Sequence, residues 1–135
     1  MHAFTALFTT LVAAASVMAA PAVKNTSELV ARDAPNIGYG QQIQRSNEQN
    51  WWVVWIEGKS ACPNTVSLGP LVTNPCNYVF FIDGWSLHFG DCDGNNEPRS
   101  LYSGNSYIRR CVGDSDKINC HDGLHDIVKH GKCKA

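Results

Sequence analysis

The first 61 residues of this chain contain no cysteine, and none of the six that follow, Cys62, Cys76, Cys92, Cys111, Cys120 and Cys133, stands in a C-x-x-C pair. Zinc sites and redox dithiols place two sulfurs on one short turn, so the missing pair argues against both and leaves structural disulfides as the use of an even cysteine count. Beyond the N-terminus no segment approaches about 20 consecutive apolar residues, which excludes a membrane-spanning helix from the body of the chain. A basic excess is also missing. Eleven Lys and Arg stand against twelve Asp and Glu, for a formal net charge of −1, and nothing in that balance points to a nucleic-acid partner. There is no repeat, no low-complexity tract and no catalytic motif complete enough to name a reaction, and no cofactor or metal is implied.

What is present begins with an apolar leader. Ala3 to Ala20 carries no charge, and Val17-Met18-Ala19 puts small residues where signal peptidase reads them, so residues 1–19 are expected to be a signal peptide cut after Ala19. Cutting after Ala20 would place Pro21 directly past the scissile bond. Residues 20–32 are short, polar and mixed, end in Leu29-Val30-Ala31-Arg32, and are expected to be a pro-segment removed after the basic residue. The one glycosylation sequon, Asn25-Thr26-Ser27, lies within them. Residues 33–135 then form a single disulfide-rich domain with a formal net charge of −2, too small for its core alone to hold it firmly. An extracellular monomer with no membrane span after processing is the expectation.

Periodicity favours strands. Trp51-Trp52-Val53-Val54-Trp55-Ile56 is bulky and apolar on both faces, which suits a strand covered on both sides. Tyr78 to Ile82 is a second such run. Asp83-Gly84 follows it as a two-residue hairpin turn, with Trp85 to Phe89 as the return strand. Ser103-Gly104-Asn105-Ser106 predicts another hairpin, joining Arg99–Tyr102 to Tyr107–Cys111, and a short strand fits within 65–68 or 70–73. Leu124, Ile127 and Val128, at three- and four-residue spacing between Gly123 and Gly131, allow at most one short C-terminal helix. The fold class is mainly β: a small disulfide-stapled antiparallel β-sandwich or barrel.

Several tracts imitate chemical sites. His121-Asp122-Gly123-Leu124-His125 approximates the zinc-protease pattern, but Asp replaces its Glu and Gly123 weakens the helix it needs. Asp91-Cys92-Asp93-Gly94-Asn95-Asn96-Glu97 has the oxygen density of a calcium loop with its glycine misplaced. Gly84-Trp85-Ser86-Leu87-His88 ends in His where a nucleophile elbow needs Gly. A secreted ribonuclease is the most concrete enzymatic alternative: Glu57 would serve as base, His88 as acid and Arg109 or Arg110 as phosphate partner, if the sheet brings them together. A carbohydrate-binding module is the other alternative, with Trp51 and Trp55 on one strand face stacking on sugar rings.

The leader over 1–19, the pro-segment ending at Arg32, the cysteine-free start of the domain and the six cysteines in a compact β-rich body resemble fungal small secreted cysteine-rich proteins of the effector or elicitor kind. The resemblance implies a non-enzymatic protein that works outside the producing cell, with a host or competitor surface protein or polysaccharide as its partner. Trp51, Trp55, His88, Arg109 and Arg110 are the candidate binding residues.

Overall fold

The computed structural model describes residues 33–44, 48–121 and 123–135. The expected signal peptide (1–19), the pro-segment (20–32) with Asn25, and Asp122 of the histidine-rich tract lie outside the described residues. Among the described residues eight strands carry the domain: β1 (Ile37–Gln42), β2 (Trp51–Ile56), β3 (Val66–Pro70), β4 (Val79–Ile82), β5 (Trp85–Gly90), β6 (Ser100–Ser103), β7 (Ser106–Ile118) and β8 (Ile127–Cys133). A 3-10 turn, Pro75–Asn77, is capped by the Asn74 side chain, which accepts from the Cys76 amide.

The strands form one antiparallel sheet in the order β3-β2-β1-β8-β7-β6-β5-β4. This is an up-and-down meander in which β8 returns to pair with β1, leaving one seam between β3 and β4. Side chains cover that seam. The Tyr78 ring lies over Gly69, and its hydroxyl is 2.9 Å from Thr73 Oγ1. The result is a nearly closed barrel, one of the two architectures the sequence predicts.

Both expected hairpins are present. Asp83 and Gly84 have φ of 52° and 80°, the positive pair that a type I′ turn needs. Gly104 alone is positive in the second turn, at 59°, the glycine-first pattern of type II′. The C-terminal stretch, where the spacing allows at most one short helix, forms β8, which starts at Ile127 and alternates buried and half-buried positions to its end. Its odd-numbered residues face covered surroundings, so Ile127 and Val128, which a helix would place on one face, lie on opposite faces of the sheet.

Two apolar layers hold the barrel. Inside it, Tyr39 of β1 meets Phe89 of β5 edge-on at 5.2 Å, and Phe89 meets Phe80 at 5.3 Å, contacts between strands that are not all neighbours in the sheet. Ile37, Trp52, Val54, Leu87 and Leu101 share this interior, each at most 2% exposed. The opposite face of β2 is covered as well, since Val53 and Trp55 pack with Ala61 and Ile127 in a second cluster to which Ile118 and Cys120 contribute. Glycine makes that outer layer possible: a Cβ at Gly38 would fall inside the Trp55 indole.

All six cysteines are paired: Cys62–Cys120, Cys76–Cys92 and Cys111–Cys133. The first bridge joins the β2–β3 and β7–β8 loops beside the outer cluster, the second ties the 3-10 turn to the β5–β6 loop, and the third links paired residues of β7 and β8. Among the described residues no helix is long and apolar enough to cross a membrane.

Candidate functional site

The registers of the second half of the sheet set four side chains in one line across the strands. Val79 of β4 pairs with His88 of β5, His88 with Tyr102 of β6, and Tyr102 with Tyr107 of β7. The two-residue turns set the Val79–His88 and Tyr102–Tyr107 pairs, and the loop 91–99 between β5 and β6 brings His88 opposite Tyr102. The interior face alternates with it through Phe80, Leu87 and Leu101, which puts the row on the outside of the barrel. Tyr107 is 53% exposed, Val79 58%, and Phe81 beside the row 70%.

The rings of this row are held. The His88 ring lies nearly parallel to Tyr102 at 5.4 Å, and Tyr102 meets Tyr107 edge-on at 5.8 Å. Tyr102 lies over Gly90, where a side chain would collide with its ring, and donates its hydroxyl to Asp91 Oδ2 at 3.0 Å. That bond, followed by partial burial, raises the Tyr102 phenol above its ordinary value. His88 has both ring nitrogens against backbone carbonyls, Nδ1 at 3.0 Å from Phe89 O and Nε2 at 2.9 Å from Gly104 O.

A bulge decides which arginine reaches this surface. Leu101 pairs with Arg109 and Tyr102 with Tyr107, so Ile108 is one residue in excess on β7. Ile108 and Arg109 are therefore both buried, and Arg110 emerges on the Tyr107 side. Arg109 donates through Nη2 to Ala34 O at 2.9 Å and through Nη1 to Asn36 Oδ1, tying down the entry to β1. Desolvation pulls its pKa down from the usual guanidinium range.

Beside Tyr107 the surface sinks into a pocket of about 630 Å³, lined among others by Arg110, Arg99, Asp93, Glu97 and Val112, with Tyr39 reaching it from the interior. Burial pushes the Tyr39 phenol up to about 12, helped by the Glu97 and Asp93 charges. The wall at Glu97 is braced by a chain of side chains. Asn50 Nδ2 donates to Gln41 Oε1 at 2.8 Å, Gln41 Nε2 donates to His130 Nε2 at 2.9 Å, and His130 Nδ1 donates to Glu97 Oε2 at 2.9 Å. Trp52 supports the His130 ring edge-on at 5.0 Å.

The remaining sequence candidates fall elsewhere. Trp55 is buried, as is Trp52, so Trp51 at 37% exposure is the one indole of that strand open to solvent, and the three make no flat row. Glu57 pairs with Lys129 at 2.5 Å, a nearly buried ammonium that also meets Asp114 at 3.1 Å. The four ribonuclease candidates thus divide: His88 and Arg110 share the outer face, while Arg109 and Glu57 both attach to Asn36 at the start of β1. The acidic loop is a turn, in which Asp93 Oδ1 accepts the amides of Asn95 and Glu97. His121 and the residues 123–126 form a turn and irregular backbone ahead of β8, without the helix that would align two imidazoles.

Tyr102 and Tyr107 are the residues that sequence reasoning missed. The signal was available, because a turn centred on Gly104-Asn105 sets Ser103 opposite Ser106 and hence Tyr102 opposite Tyr107. No family model matches this chain, and no curated protein or solved structure matches it either.

Proposed function

We propose that this protein is a secreted, effector- or elicitor-like binding protein that acts without catalysis, through the outer face of β4 to β7, on a host or competitor target outside the producing cell. The observation that carries the reading is the row of solvent-facing side chains at Val79, His88, Tyr102 and Tyr107, mounted on paired strands and ending at an arginine-bearing pocket. Rigid aromatic and arginine side chains are what binding surfaces use as anchors. Three disulfides support an oxidising, extracellular compartment.

General acid–base chemistry needs a proton or lone pair aimed at substrate. The imidazoles of His88 and His130 and the carboxylate of Glu57 spend theirs on neighbours within the fold, which favours binding over the ribonuclease alternative. The test applies purified protein to host tissue and, in parallel, deletes the gene before a colonisation assay. A cell-death or colonisation effect that Tyr107→Ala removes, with the variant still folded, supports the proposal. Normal colonisation together with an inert protein overturns it, and RNA turnover that His88→Ala abolishes replaces it with the enzymatic reading.

A further inference from the structure

We infer that the pocket between Tyr107 and Glu97 is a subsite for a neutral oligosaccharide, with the ring row extending it across the strands. The inference rests on the proposal that this outer face is the working surface, and it adds the chemical class of the ligand.

Three observations select that class. First, the pocket brings donors and acceptors together: Arg110 and the N–H groups of Arg99 left over from its 3.4 Å pairing with Asp93 can donate, while Asp93 and Glu97 keep the lone pairs not taken by backbone amides and His130. Sugar hydroxyls both donate and accept, so a polyol can satisfy both sets, whereas a purely anionic or purely cationic ligand meets its own sign on part of the wall. The two guanidiniums and two carboxylates cancel, leaving no net field to concentrate a polyanion such as a nucleic acid. Second, the Tyr107 ring is half open to solvent at the pocket edge. An exposed ring face next to hydrogen-bonding groups is what the C–H face of a pyranose requires. Third, the row continues to Tyr102 and His88 on successive strands, with ring centroids 5.8 and 5.4 Å apart. The volume of about 630 Å³ lies within the range of small-ligand sites.

The walls are built before any ligand arrives. His130 holds Glu97, backbone amides hold Asp93, and Asp91 holds Tyr102, so little ordering cost falls on binding.

The test is titration of the oxidised, processed domain with three neutral probes, the hexasaccharides of chitin, cellulose and β-1,3-glucan, alongside polygalacturonate as an anionic one. Expected is saturable binding of at least one neutral probe, little changed by added salt, with Tyr107→Ala and Arg110→Ala each weakening it about tenfold and Tyr107→Trp retaining it. Both positions are exposed, and an unchanged melting transition establishes that the variants fold. Binding of none of the three neutral probes, binding of polygalacturonate alone, or neutral binding lost on Trp51→Ala and unaffected at Tyr107 each overturns the inference. If no sugar binds while the host response still disappears in Tyr107→Ala, the face stands as a protein-docking surface and only the ligand class fails.

Discussion

From inside the barrel the Arg109 guanidinium donates to Ala34 O and Asn36 Oδ1, so a substitution there strands buried acceptors, whereas its neighbour Arg110 stands in solvent. Arg109→Met is expected to cost about 1–3 kcal/mol, and Arg110→Ala to stay within about 0.5 kcal/mol, read as shifts of the urea midpoint. Equal costs would mean that the bulge at Ile108 does not set the two side chains apart. The sequence offers both arginines as candidates, and simple alternation from Tyr107 would put Arg109 on the Tyr107 face and Arg110 inside. The single unpaired residue at Ile108 reverses that assignment, and such bulges leave no composition signal. Trp55 misleads for a related reason. Its strand reads as exposed or buried according to what covers it, and the cover, Ala61 and Ile127, comes from distant segments.

At the scale of elements, the turns were the most legible part, and they invite a direct comparison of glycines. Gly84 has φ of 80° with open space around its Cβ position, while Gly94 has similar space and no positive φ. Gly84→Ala should therefore cost about 1–2 kcal/mol from backbone strain alone, and Gly94→Ala should be neutral or stabilise by about 0.5 kcal/mol. Equal midpoints for the two variants would contradict the turn assignment. β5 is legible from its alternation, whereas the run 78–82 reads as apolar on both faces and suited to cover on both sides, yet β4 leaves Val79 and Phe81 open to solvent. β1 was not legible, because Gly38 and Gly40 dilute its pattern, and they are there to admit the Trp55 indole and the backbone of Val128 and Lys129. β8 was hidden by its charges. Lys129 sits nearly buried, compensated by Glu57 and Asp114, so polarity along that strand does not report which side faces the core.

Over the whole molecule, the bridges and the ion pairs set the conditions for stability. Cys62–Cys120 closes 58 residues against 16 for Cys76–Cys92, and chain entropy makes their removal cost about 4 and about 3 kcal/mol respectively. Paired serine substitutions should rank in that order by thermal midpoint, and full reduction should abolish the cooperative transition, since these sums rival the stability of an entire domain. Dependence on pH has a defined sign. Backbone amides of Glu97 and Asn95 hold Asp93 below the usual carboxylate range, and hydrogen bonds from Lys129 and Lys132 do the same for Asp114. Their contributions are complete above the unfolded value of about 3.9 and are lost as pH falls through the lower folded values. Burial pulls Lys129 down, but its bonds to Glu57 and Asp114 outweigh that and raise it; Tyr39 is raised as well. Those contributions are complete below about pH 10 and disappear as pH rises through the folded values. These groups therefore leave the urea midpoint level between about pH 5 and about pH 10 and lower it on either side; a midpoint that climbed below pH 4 would contradict the assignment.

The return of β8 to β1 also has a consequence in time. The first strand acquires β2 as soon as residue 56 exists, but its other flank waits for a partner that ends at Cys133. While the ribosome is still at work, that flank is an uncovered edge, open to pairing with another nascent chain. Of the three bridges the Cys76–Cys92 clasp is the earliest that oxidation can set, and Cys111 must wait for Cys133. The barrel thus closes only once β8 exists, and the yield of correctly bridged protein should depend on how well β1 is shielded until then.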